Sequence, residues 1–104
     1  MTTAEIVKTY LSRRTKFRTW VRAHPAGAYV GSARALGDCP IGRFVHEMTG
    51  IAPMVGYKLF DTSIADEGAI LPPWVWRVES RVDDERRWGV LITREEMLAI
   101  LDKA

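Results

Sequence analysis

The sequence predicts an α+β fold that is mainly α, with four helices and a small β-hairpin between helices two and three. Three observations support this fold class. Apolar residues recur at helical spacing in four segments, prolines and glycines separate those segments, and the stretch between the second and third segments lacks that spacing. Because 104 residues is an ordinary length for one domain, we expect residues 1–104 to form a single domain.

The first predicted helix runs from about Thr3 to His24 and ends before Pro25. Thr2 or Thr3 can serve as its N-cap, and Thr2 with Glu5 has the spacing of a capping box. Four apolar side chains fall within a narrow arc of this helix and should face the core: Ile6, Tyr10, Phe17 and Val21.

A glycine-punctuated segment follows, with a short extended piece at residues 29–30. Asp38 is the expected N-cap of the second helix, which runs from about Cys39 to Thr49 and ends at Gly50. Pro40 fits the first turn of this helix, where its missing N–H leaves no hydrogen bond unmade.

The hairpin and the last two helices follow from the second half of the chain. Residues 54–60 are predicted as a strand that pairs with a weaker strand over residues 64–71. Pro72 and Pro73 begin the third helix, which extends to about Glu85. After a short apolar run at residues 90–92, the capping-box spacing of Thr93 and Glu96 predicts the last helix.

Charge is divided unevenly along the chain. Residues 1–58 contain nine basic and three acidic residues, a net charge of about +6, whereas residues 59–104 contain six basic and ten acidic residues, about −4. Three explanations fit this division: the halves attract each other within the fold, copies associate head to tail, or the basic half meets a polyanion.

A basic stripe on the first helix bears on these explanations. Arg14, Arg18 and Arg22 recur every four residues, and Lys8 and Lys16 lie farther round the helix. Side chains at this spacing suit successive phosphates, so DNA or RNA is one expected partner. We favour a solvated or internally paired stripe, because the neighbouring aromatic residues belong to the core and a helix-turn-helix is lacking.

Trp76 is the main candidate for binding a protein partner. The third helix has its apolar stripe at Leu71, Val75, Val78 and Val82. Trp76 lies on the opposite side of this helix, near Glu79 and Asp83, so it is either exposed or covered by another element. An exposed tryptophan is a good anchor for a protein interface. Trp88 is a weaker case of the same kind.

Signatures of catalysis and metal binding are sparse. The sequence lacks a nucleotide-binding glycine motif, a phosphate-binding loop, a Cys-x-x-Cys pair and a zincin motif. Cys39 opens a predicted helix, but His46 lies seven residues further on, about 10 Å away, which is too far for a Cys–His dyad. We therefore predict a protein that is not an enzyme and needs no metal or cofactor.

A cytoplasmic location is the expectation from two further features. The one cysteine cannot form an intramolecular disulfide, which fits a reducing compartment. The longest apolar runs are far shorter than a membrane span, and the N-terminus lacks the pattern of a signal peptide, so we expect no membrane partner.

Three stretches carry a resemblance to a class of small proteins. They are a Cys-Pro-hydrophobic helix start at residues 39–41, a Leu-Pro-x-Trp helix start at 71–74 and a last helix ending in Ala-Ile-Leu at 99–101. Residues 38–101 thereby resemble uncharacterised accessory proteins of phages and bacterial genomes. The resemblance implies no activity; it implies a host macromolecule as partner and, for a phage-encoded chain, the host cytoplasm.

The sequence thus predicts a small binding protein that contacts a protein partner or its own copies through four residues. These residues are Trp76, Glu79, Asp83 and Trp88. The alternative is a DNA-binding protein that uses the basic stripe of the first helix.

Overall fold

The structure is a computed structural model that describes residues 1–35, 37–61, 63–84 and 89–104. It is an α+β fold dominated by helices, which confirms the predicted class. The helices within the described residues are α1 (Thr3–Ile6), α2 (Arg14–Arg22), α3 (Pro40–Thr49), α4 (Pro73–Asp84) and α5 (Arg94–Lys103). The strands are β1 (Tyr29–Ser32), β2 (Met54–Val55), β3 (Lys58–Phe60), β4 (Ala69–Ile70) and β5 (Leu91–Thr93). None of the described helices combines the length and the apolar character needed to cross a bilayer.

The prediction of four helices is wrong, because the first helix is broken in two. The capping box of Thr2 and Glu5 begins α1, which continues into a π-helical turn, Val7–Leu11. The backbone is then extended at Arg13, with φ −133° and ψ 148°, before α2 starts. In the core, the Trp74 indole N–H donates to the Leu11 carbonyl at 2.7 Å. A tertiary hydrogen bond thus satisfies a carbonyl that a continuous helix would have paired within itself.

Two small antiparallel sheets connect distant parts of the chain. In one, β1 pairs with β5, and Gly31 lies opposite Ile92. In the other, β3 is central and pairs with both β2 and β4. The predicted pairing of residues 54–60 with 64–71 is present as β3 with β4. The segment 54–60, however, is two strands instead of one: β2 and β3 pair with each other across a turn at Gly56 and Tyr57.

The start of α3 differs from the prediction by one residue. Cys39, rather than Asp38, is the N-cap, and its Sγ accepts a hydrogen bond from the Gly42 N–H at 3.4 Å. Asp38 instead accepts a hydrogen bond at 2.8 Å from Arg43 Nε, on the following turn of the helix. At the other end, Gly50 caps the helix in the left-handed conformation, as predicted.

An aromatic cluster forms the centre of the core. The ring centroid of Phe17 lies 5.5 Å from that of Phe44, 5.8 Å from that of Trp20 and 5.9 Å from that of Trp74. The apolar stripe of α4 packs on the same core, with Val75, Val78 and Val82 almost completely buried. Because this stripe fixes the rotation of α4, the opposite side of the helix faces outward.

Candidate functional site

A groove lies along the outward side of α4, opposite the β2–β3 turn and the segment that follows β1. Its volume is about 340 Å³. We call it the α4 groove and define it by the side chains that give it its character: Arg34, Tyr57, Trp76, Glu79, Asp83 and Asp84.

Two exposed aromatic side chains stand at one end of the α4 groove. Trp76 is 45% exposed and Tyr57 is 59% exposed. Their ring centroids are 6.3 Å apart, with an angle of 53° between the ring planes. The Trp76 indole N–H donates to the Leu71 carbonyl at 2.8 Å, which fixes the orientation of the indole. The structure therefore presents Trp76 on the surface in a defined position, next to a second aromatic ring.

Glu79 lies in the groove, one helical turn after Trp76. Its side chain is largely buried, and its Oε1 is shielded from solvent without a hydrogen-bond partner among the described residues. Burial, together with repulsion from the Asp83 carboxylate, raises the pKa of Glu79 to about 8, and a hydrogen bond with the Cys39 thiol offsets part of this. Near neutral pH, Glu79 is therefore predominantly a neutral carboxylic acid.

Cys39 lies behind Glu79 at the start of α3. The residue is only 2% exposed, and its burial, followed by the nearby Glu79 carboxyl, raises the pKa of the thiol well above its ordinary value. A buried thiol held in its protonated form is a poor nucleophile. The position at a helix N-terminus thus does not activate Cys39.

Arg34 and Asp83 close the other end of the groove. The Arg34 backbone N–H donates to Asp83 Oδ1 at 3.0 Å, and the guanidinium donates to the Asp83 carbonyl through Nε at 2.9 Å and Nη2 at 2.7 Å. Arg34 has a φ of 58°, in the left-handed region that an arginine rarely adopts. The guanidinium is therefore held at a main-chain carbonyl.

Of the four residues predicted to bind a partner, the structure brings Trp76, Glu79 and Asp83 together in the α4 groove. Trp88 lies outside the described residues. Sequence reasoning missed Tyr57 and Arg34. The turn-forming Gly56 before Tyr57 was an available signal for the first, whereas no local signal indicates that Arg34 reaches α4.

The basic stripe of the first helix divides into paired and unpaired members. Arg14 Nη1 donates to two carbonyl groups at the end of α5, those of Leu101 and Ala104, both at 3.0 Å. Arg18 forms an ion pair with Asp102 at 2.8 Å. Two of the three arginines therefore contact the protein's own C-terminal helix. This matches the first explanation for the uneven charge, in which the basic and acidic halves attract each other within the fold.

The other members of the basic group face solvent or the π-helical turn that precedes α2. Lys16 donates to the Thr9 carbonyl at 2.8 Å and lies 5.4 Å from the centroid of the Tyr10 ring. Lys8 and Arg22 are exposed, and neither side chain has a hydrogen-bonded partner among the described residues.

A second concavity, between α2 and α3, is larger, but its lining is mainly apolar. Its volume is about 590 Å³, and Tyr10, Trp20, Phe44 and Met48 line it. The indole N–H of Trp20 is already paired with the Glu47 carboxylate. Among the described residues, the buried polar atom without a partner is in the α4 groove instead, so we take that groove as the candidate site.

Comparisons with known proteins leave the α4 groove as the basis for inferring function. No protein-family model matches the chain, and no curated protein or solved structure is significantly similar to it. Within the described ranges, no group of three or more His, Cys, Asp or Glu residues is placed to hold a metal ion. The resemblance to phage and bacterial accessory proteins stays a prediction.

Proposed function

We propose that the protein is a small cytoplasmic binding protein, not an enzyme, which recognises another protein or a second copy of itself through the α4 groove. The observation that carries this proposal is the exposed pair of Trp76 and Tyr57 at the end of a groove that contains a shielded, unpartnered carboxyl oxygen. Hydrophobic burial of the aromatic pair would supply affinity, and the surrounding charges would set the orientation of the partner.

The size of the aromatic contribution follows from the exposed area. With 45% of Trp76 exposed, roughly 100 Å² of this residue is available to a partner, which corresponds to about 2.5 kcal/mol when it is buried. The Trp76 indole is already fixed by its bond to the Leu71 carbonyl. Little side-chain entropy is therefore lost on binding, which is a property of interface anchors.

Replacement of Trp76 by alanine tests the proposal. We expect Trp76→Ala to lose either self-association, measured by light scattering after size-exclusion chromatography, or the proteins that the tagged wild type captures from a lysate. The matched control is Tyr29→Ala, because Tyr29 is 54% exposed on β1 and does not line the groove. If Trp76→Ala folds and leaves both readouts unchanged, the proposal is wrong.

One observation favours DNA binding as a second function: Arg22 and Lys8 are exposed, and their side chains are unpaired among the described residues. Such binding would depend on phosphates and would weaken steeply as salt is added. A nuclease-treated lysate distinguishes the two functions, because capture through DNA or RNA is lost and capture through the groove is retained. An Arg22→Ala variant that still shifts duplex DNA at low salt as strongly as the wild type would contradict this second function.

A further inference from the structure

We propose that the α4 groove receives an arginine side chain of the partner, whose guanidinium pairs with the Glu79 carboxyl beside the exposed rings of Trp76 and Tyr57. This inference rests on the proposed function, because it names the chemical group by which the partner is anchored. It follows from an unpaired acceptor, two aromatic walls and the balance of charge around them.

The first argument is the unpaired acceptor. A buried carboxyl oxygen without a hydrogen bond is costly, and Glu79 Oε1 is such an atom among the described residues. Glu79 is one of the residues that line the groove. The terminal torsion of a glutamate is soft, so the group can present an oxygen to the groove at small cost. An incoming N–H donor would thus satisfy an atom that the fold leaves unsatisfied.

The aromatic walls select a flat cation as the donor. The ring centroids of Trp76 and Tyr57 lie 6.3 Å apart at 53°, and the two residues are 45% and 59% exposed, so part of each ring is open to solvent. The Tyr57 ring already attracts a cation, since Lys58 Nζ lies 5.8 Å from its centroid. A guanidinium stacks on aromatic faces and donates in its plane, whereas an ammonium is a strongly hydrated point charge. Arginine is therefore expected to bind better than lysine.

The charges around the groove also favour a cation. Among the described residues that line it, three carry carboxyl groups, Glu79, Asp83 and Asp84, and one carries a cation, Arg34. The Arg34 guanidinium donates two hydrogen bonds, through Nε and Nη2, and both are accepted by the Asp83 carbonyl. Arg34 therefore does not neutralise Glu79 by direct contact. An arginine from a partner would supply the counter-charge that stabilises the ionised form of Glu79.

Binding should depend on pH because the guanidinium pairs best with an ionised Glu79. The groups that act on Glu79 are the Cys39 thiol at the N-cap of α3 and Asp83 on its own helix, and Arg34, Tyr57 and Asp84 line the same groove. In the unbound protein the pKa of Glu79 is about 8. Arginine binding below that pH must release a proton, so the affinity should rise with pH by up to about tenfold per unit until it levels off near the pKa.

A titration of the 104-residue protein with small probes tests the inference. The probe is N-acetyl-arginine methylamide, followed through the Trp76 indole N–H resonance in NMR spectra. The matched control probe is N-acetyl-citrulline methylamide, which has nearly the same shape without the charge. We expect the arginine probe to bind about tenfold or more tightly than the citrulline probe, more tightly than the lysine analogue, and with an affinity that rises from about pH 6 to 8.

Two variants locate the site. Glu79→Gln should weaken binding of the arginine probe about tenfold or more, since the charge-assisted bond is lost, and Asp84→Asn, an exposed acid at the same groove, should weaken it much less. Arg34→Ala should strengthen binding by removing the resident cation. The inference is overturned if arginine and citrulline bind equally, if lysine binds more tightly, if no probe binds, or if Glu79→Gln has no effect. If Glu79→Gln does not fold, Arg34→Ala decides: stronger binding of the arginine probe supports the inference, and weaker or unchanged binding overturns it.

The failure of this inference is distinguishable from that of the proposed function. If no arginine probe binds but Trp76→Ala still abolishes self-association or partner capture, only the identity of the anchor is wrong. If the probe binds as expected while Trp76→Ala leaves both of those readouts unchanged, the cation site stands and the proposed function is wrong.

Discussion

Glu79→Gln should make the protein more stable at neutral and alkaline pH, although it removes an ionisable residue from the candidate site. The wild-type carboxyl has a pKa of about 8 in the folded protein, raised mainly by burial, against an ordinary value of 4.5. Between these two values, the folded state binds a proton that the unfolded state has released, so the stability that Glu79 contributes falls as pH rises. Glutamine stays neutral and has no such dependence.

The magnitude follows from the two pKa values. Since one pKa unit corresponds to about 1.4 kcal/mol, the interval from 4.5 to about 8 corresponds to about 4 to 5 kcal/mol once Glu79 is fully ionised. At pH 7 the expected gain for Glu79→Gln is about 3 kcal/mol, and near pH 5 it is less than about 1 kcal/mol. A gain of this size is a large fraction of the stability of a small domain.

Urea unfolding of the wild type and Glu79→Gln at about pH 5, 7 and 9 measures this difference. The matched control is Glu95→Gln, because Glu95 is exposed and its pKa is lowered by hydrogen bonds from Arg94 and from the Gly27 backbone N–H. That variant should lose stability above the ordinary glutamate pKa, which is the opposite sign. Parallel stability curves for the wild type and Glu79→Gln would refute the burial argument.

Two further substitutions test the packing that positions the groove. Gly31→Ala should lower the free energy of unfolding by about 1 to 3 kcal/mol, because a Cβ at this position would lie 2.5 Å from the Pro40 nitrogen. Thermal unfolding measures this loss. Gly56→Ala is the control, since a Cβ there meets nothing within 4 Å and should change stability little. Trp74→Phe should cost about 1 to 3 kcal/mol in urea unfolding, because it removes the bond at 2.7 Å to the Leu11 carbonyl inside the core; an unchanged midpoint would show that water satisfies this carbonyl instead.

Helices whose start or rotation is encoded by neighbouring residues could be predicted from the sequence. Two capping boxes, at Thr2 and at Thr93, begin helices where the sequence places them. The spacing of the apolar residues in α4 also predicts the rotation of this helix, and so places Trp76 on its outward side. These features depend on residues within a few positions of one another.

The break in the first helix was not predictable in the same way. Residues 3–24 carry a continuous helical pattern, yet Arg13 is extended. The compensating hydrogen bond comes from Trp74, 63 residues further along the chain. A pattern within the segment contains no information about that donor, so tertiary packing overrode local propensity.

The candidate site shows the same division. Sequence spacing placed Trp76, Glu79 and Asp83 on one side of one helix, but it assigned Tyr57 to a strand and gave Arg34 no role. The elevated pKa of Glu79 was also inaccessible to sequence reasoning, because it arises mainly from burial in the assembled fold. A glutamate on the outward side of a helix is ordinarily a solvated residue.

The sequence by itself determined the α+β class, the caps, the outward side of α4 and the uneven division of charge. Only the tertiary structure decided that Arg14 and Arg18 contact α5, that the first helix breaks, and that Glu79 is shielded beside Cys39. The physical reason is the separation along the chain over which each effect acts. Helix propensity, capping and periodicity act between near neighbours, whereas desolvation and ion pairing depend on which distant segments the fold brings together.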